Sequence, residues 1–140
     1  MSATLLERAR ALASTYADSV NRQDGGDWAA CWSGDAVWEL SDELVFHGRS
    51  EIVEYWHKAM AGFSLVVQSL SQGFVSDADG ALTGRWAFTE HAVRTDGTPS
   101  LLLGHYEDEY QEGAEGLQFA RRRLVRYFHG APDLSSPSTA

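Results

Sequence analysis

The chain has 140 residues, with 20 acidic against 11 basic side chains and a formal net charge of −9, so the basic footprint that nucleic-acid binding requires is missing. Apolar residues make up 44% and aromatic residues 11%, enough for one self-sufficient core and too much for a disordered chain. No apolar run approaches the roughly 18 residues of a membrane span, the N-terminus lacks the charged-then-apolar order of a signal peptide, and a lone Cys31 cannot close an internal disulfide. These features set the expectation of a cytoplasmic protein with no nucleic-acid partner, no membrane partner and no metal site.

The first predicted element is a helix. Thr4 and Glu7 stand at capping-box spacing, and Leu5, Ala9, Leu12, Tyr16 and Val20 recur every three or four residues as one apolar stripe. "DGGD", Asp24 to Asp27, ends it, because paired glycines disfavour helix and permit a tight reversal. "WAACW" reads as a short second helix, "AVWELSD" and "LVFHGR" as two short strands, and "SEIVEYWHKAM" as a third helix capped by Ser50. Four long strands follow: "FSLVVQSLSQGFVS", "ALTGRWAFTEHAVR", "LLLGHYEDEYQ" and "GLQFARRRLVRYF". The Gly- and Asp-rich turns between them predict an antiparallel meander. "RRRLVR", Arg121 to Arg126, splits between two strand faces and reads as solvated or ion-paired rather than phosphate-binding. One domain over residues 1–130 and a disordered Pro- and Ser-rich tail over 131–140 are expected.

Alternation assigns the faces. On "LLLGHYEDEYQ", Leu102, Gly104, Tyr106, Asp108 and Tyr110 share one side, and His105, Glu107 and Glu109 share the other. On "RWAFTEH", Trp86, Phe88 and Glu90 share a face opposite Arg85, Thr89 and His91. Burying Arg85 unpaired would be costly, which turns Trp86, Phe88 and Glu90 inward. Helices first and a strongly curled sheet second give an α+β arrangement, a curved antiparallel sheet wrapped around N-terminal helices to form a cone with an internal pocket.

The pieces "YADSVNRQDGGDWAACW", "DAVWEL", "HGRSEIVEYW", "GRWAFTEH", "GHYEDEY" and "GLQFARRR", in this order, resemble the SnoaL-like members of the nuclear-transport-factor-2-like superfamily. That resemblance implies the cone fold, a homo-oligomer (dimer or trimer) and an inward Tyr106. The superfamily hosts dehydratases, cyclases, an isomerase, a dehydrochlorinase and non-catalytic binders, so the fold supplies a pocket and not a reaction. In dehydratase and dehydrochlorinase members, an aspartate after the first helix orients a histidine on the first long strand. Asp24 and Tyr16 match the family's aspartate and tyrosine positions, but the histidine position falls on Gln68. Glutamine cannot take a proton at neutral pH.

The candidates for chemistry are therefore Asp24 or Glu90 as the base, with Tyr16 and Tyr106 donating hydrogen bonds to a developing oxyanion. A carboxylate beside Trp86 and Phe88 has its ionised form disfavoured, as a general acid or base requires. Alternatively Glu90 pairs with a core arginine, Asp24 caps a helix turn, and Asp108 with Arg122 forms a structural ion pair. Gln68, Trp38, Trp56, Trp86, Phe88 and Arg122 are the expected ligand-contacting residues. Among the histidines, His91 would supply a base if its strand faced the other way, whereas His47 and His57 read as surface residues, His105 as a surface or subunit-interface residue, and His129 precedes the tail. The expected function is a cofactor-free lyase, isomerase or cyclase moving a proton on a hydrophobic polycyclic or aromatic small molecule. The alternatives are a non-catalytic small-molecule binder and an accessory subunit related to the small subunits of Rieske dioxygenases.

Overall fold

The computed structural model describes residues 3–133. Residues 134–140, most of the expected tail, lie outside those described, and Ala131–Asp133 carry no helix or strand. Helix α1, Leu5–Arg22, opens with the Thr4 hydroxyl accepting from the Glu7 N–H at 3.1 Å. Its buried side carries Ala9, Leu12, Ala13, Tyr16, Ala17 and Val20. Gln23 ends it in the left-handed conformation, φ 53°, with its N–H on the last-turn carbonyls. Helix α2, Gly25–Ala30, follows at once. The glycine pair thus stands in the first turn of α2 instead of spacing two helices apart, because the Asp24 carboxylate caps that turn through the Asp27 N–H at 3.0 Å.

Strand β1, Trp32–Glu39, and the three-residue β2, Val45–His47, come next, and then helix α3, Arg49–Met60. The cap of α3 differs from expectation. Gly48, at φ 87°, holds that position without a side-chain bond, and Ser50 lies in the first turn. The Gly48 N–H donates to the Ala36 carbonyl at 2.7 Å and its carbonyl accepts from Ile52, so the helix starts before Ser50 could cap it.

The long strands are β3, Phe63–Ser76; β4, Thr83–Arg94; β5, Pro99–Gly113; and β6, Gly116–Gly130. They form one curved sheet in the order β2-β1-β6-β5-β4-β3. Every pairing is antiparallel except β1 with β6, which is parallel. Against β5, strand β6 carries one extra residue twice: Leu103 faces Phe128 while Gly104 faces Arg126, and Glu109 faces Arg121 while Tyr110 faces Phe119. Each such bulge switches the inward set from one parity to the other. Leu117 and Phe119 are buried before the bulge at Ala120, and Arg122 and Leu124 after it.

A third bulge, in β3 between Leu70 and Gly73, bends that strand over Trp86. A Cβ on Gly73 would lie 2.0 Å from the Trp86 ring, which is fully buried and donates its N–H to the Tyr110 hydroxyl at 2.7 Å. Gly73→Ala is therefore expected to destabilise by about 1–3 kcal/mol through overpacking, read as a lowered urea midpoint with an unchanged slope. Trp28, Trp32, Trp38 and Trp56 fill the space between the helices and β1, with Trp28 stacked on Trp56 at 4.6 Å. No helix among the described residues is long and apolar enough to cross a membrane.

Candidate functional site

The concave side of the sheet, closed by α1 and α3, holds a cavity of about 180 Å³. Its geometry follows from strand register. Gln68 on β3 faces Glu90 on β4, Glu90 faces Leu102 on β5, and Leu102 faces His129 on β6. All four line the cavity as one row across the sheet.

Gln68 is held at both ends. Its backbone N–H donates to Asn21 Oδ1 at 2.6 Å, and its carbonyl accepts from Asn21 Nδ2 at 3.1 Å. Both backbone groups thus turn away from β4, leaving Gln68 and Glu90 a non-hydrogen-bonded pair, the kind whose side chains lie closest. The Gln68 amide N–H donates to Glu90 Oε1 at 3.0 Å. Burial pushes the Glu90 carboxyl above the usual glutamate range, while the Gln68 hydrogen bond and the Arg126 charge pull against that rise. This carboxyl is desolvated, held by a neutral amide and not locked to an arginine. A carboxyl whose ionised form is disfavoured in this way is a stronger base than an exposed glutamate, which suits it to proton transfer.

Tyr16 from α1 and Tyr106 from β5 line the same cavity, their rings edge-to-face at 6.0 Å. Burial raises both phenol pKa values, opposed by the charge of Arg122 beneath them. Both therefore stay neutral hydroxyl donors. The Trp38 indole forms part of the wall. Trp56, Tyr55, Met60 and Phe63 complete the apolar side.

The structure brings together six of the expected residues: Tyr16, Gln68, Glu90, Tyr106, Trp38 and Trp56. The other four lie elsewhere. Asp24 is committed to capping α2 and to the Arg22 guanidinium at 3.1 Å, and the Asp27 N–H together with Arg22 holds its carboxyl below the usual range. Trp86 is sealed under the β3 bulge, and Phe88 is stacked flat on Tyr106 at 5.0 Å. Arg122 lies below the cavity floor, where Asp108 binds it at 2.7 and 3.1 Å. None of these three lines the cavity. His91 points outward and is exposed.

Arg94, Ser100, Arg126 and His129 also line the cavity, and sequence reasoning did not select them. Strand alternation counted forward from Leu124 would turn His129 outward. The extra residue at Tyr127 restores it to the concave side. Asn21 was missed as well; an amide in the last turn of α1 gives no signal of which strand edge it meets. Among the described residues, no cluster of three or more His, Cys, Asp or Glu side chains could hold a metal ion.

Solved structures share this architecture. A protein of unknown function from Mycobacterium tuberculosis matches at 26% identity and a TM-score of 0.75, over 96% of this chain and 76% of that one. Hexachlorocyclohexane dehydrochlorinase from Novosphingobium barchaimii matches at 13% identity and a TM-score of 0.79, over 88% and 86%. The ActVI-ORFA protein of Streptomyces coelicolor matches at 18% and 0.74, over 88% and 97%. No curated protein matches by sequence. The model of the SnoaL-like domain matches residues 2–123, and with that span added to the curved sheet and the cavity on its concave side, the chain belongs to the SnoaL-like domain family.

Proposed function

We propose that this protein is an enzyme that moves a proton on a small apolar or aromatic molecule, in an elimination, isomerisation or ring closure. One observation carries the reading: the desolvated Glu90 carboxyl, held by Gln68, shares one cavity with the neutral hydroxyls of Tyr16 and Tyr106. Glu90 is the base. It removes a proton from a carbon acid, while Tyr16 and Tyr106 donate hydrogen bonds to the oxyanion that develops. Phenols suit this role because they donate without bringing charge into an apolar site. Gln68 orients the carboxylate and takes no proton itself. Trp38 and Trp56 position the ring system of the ligand.

A cavity of about 180 Å³ suits a core of one or two rings, since an apolar cavity of about 150 Å³ accepts benzene. The test uses 2-tetralone, a bicyclic ketone with acidic α C–H bonds, in D2O. The wild-type protein is expected to accelerate deuterium incorporation, followed by NMR, well above the buffer rate, and Glu90→Gln is expected not to. An exchange rate equal to buffer, with 2-tetralone shown to bind, sinks the acid–base reading. The second reading, ligand binding without turnover, is favoured by Asp24, whose engagement with α2 and Arg22 removes the family's aspartate from the cavity. The same experiment separates the two.

A further inference from the structure

Three strands deliver basic or hydroxyl groups to one end of the cavity: Arg94 from the end of β4, Ser100 from the start of β5, and Arg126 with His129 from the end of β6. They meet because Ala92 pairs with Ser100 and Leu102 with His129. Their closeness shows in His129, whose pKa is pushed down by burial and then by the charges of Arg126 and Arg94. In a chain of net charge −9, this is a local inversion of sign. Among the described residues lining the cavity, Glu90 is the sole carboxylate, and Gln68 holds it.

Both guanidinium groups are already placed. Arg94 stacks over the Phe63 ring at 5.0 Å, and Arg126 donates one N–H to the Leu40 carbonyl. Preorganised donors lose little freedom on meeting an anion, and a guanidinium fork matches a carboxylate in two-point geometry. At the other end the wall is aromatic, from Trp38, Trp56 and Tyr106. The cavity is therefore amphipathic along its length.

We propose that the ligand of this cavity carries a carboxylate on its aromatic body, docked against Arg94, Arg126 and Ser100 while the rings fill the tryptophan end. The inference rests on the reading above that the cavity is the ligand site, and it adds an orientation. His129 and Glu90 lie two strand spacings apart, on the order of 10 Å, about the reach of a bicyclic ring bearing a carboxylate. An anchor at the basic end thus decides which carbon of the body is presented to Glu90.

Isothermal titration calorimetry with 2-naphthoate and 2-naphthylmethanol, alike in shape and different in charge, tests this. The wild type is expected to bind naphthoate at least about tenfold more tightly, the scale of one charge-assisted contact. The double variant Arg94→Gln/Arg126→Gln is expected to lose that preference while holding the alcohol as well as the wild type does. Retained alcohol binding is also the check that the variant is folded; the single variants Arg94→Gln and Arg126→Gln replace it if the alcohol is lost. Equal wild-type affinities, or a preference that survives the substitutions, overturn the anion site and leave the apolar cavity standing. If neither probe binds the wild type, both readings fall.

Discussion

Replacing Asp108 with alanine is expected to lower the unfolding free energy by about 3–5 kcal/mol, the cost of leaving a buried charge without its partner. The Asp108 side chain is 0% exposed and that of Arg122 is 2% exposed. The carboxylate accepts from the guanidinium at 2.7 and 3.1 Å and from the Tyr110 hydroxyl at 3.2 Å. Around the guanidinium stand Tyr106 and Phe119 at 4.0 Å and Tyr16 at 4.5 Å. These faces favour a cation, but they do not offer the acceptors that Asp108 supplies. For a domain whose total stability is typically about 5–15 kcal/mol, the loss is a large share. Urea unfolding of Asp108→Ala measures it, and the double variant Asp108→Leu/Arg122→Met gives the contrast, since an apolar pair in the same space is expected to recover most of the loss. A cost below about 1 kcal/mol for Asp108→Ala would mean that water reaches the pair.

The other large effect concerns Glu90, with opposite signs in activity and stability. Removing a general base typically costs about 10²–10⁴-fold in rate, so Glu90→Gln should lose most of the exchange activity above buffer. The wild-type rate should fall as pH drops through the raised pKa of Glu90, because the base must be ionised to act. Stability runs the other way. A glutamate whose native pKa is raised, as burial raises this one, binds its proton more tightly in the native state than in the unfolded one. Its contribution is therefore present below the ordinary glutamate pKa and lost as pH rises through the native value. Glutamine at this position can still accept from Gln68 and cannot ionise. Glu90→Gln should thus be more stable than wild type at about pH 8, with the difference shrinking toward about pH 4. Thermal melts of both proteins across that range decide it, and a variant less stable than wild type at every pH would show that the ionised carboxylate is itself well solvated or well paired.

How legible these sites are in the sequence depends on how local their causes are. The stripe of α1 and the sets of residues that share a face on β4 and β5 follow from periodicity; the cost of burying Arg85 and the family resemblance choose the inward set, and Trp86, Phe88, Tyr106 and Asp108 are buried accordingly. The start of α3 escapes local reading because it depends on a bond from Gly48 to Ala36 on β1. Asp24 is ambiguous by residue type, as an aspartate before two glycines serves equally as a cap or as a charge for a site. The basic end of the cavity was hidden for a third reason. Arg94 and Arg126 look like solvated strand ends, and the bulge at Tyr127 inverts the parity by which His129 would be read. A bulge is a property of two strands together, and neither sequence shows it.

The position of β6 bears on how the chain reaches this structure. Although it follows every other element in sequence, it lies inside the sheet, bonded to β1 on one side and β5 on the other. During synthesis β1 and β2, with Trp32 and Trp38, can pair with each other but have no route to the rest of the sheet until Gly116–Gly130 has left the ribosome. The pairing Trp38↔Arg122 closes a long loop before it is rewarded. The tryptophan-lined half of the cavity is thus completed last, and the growing chain exposes those rings until then, when aggregation competes most strongly with folding.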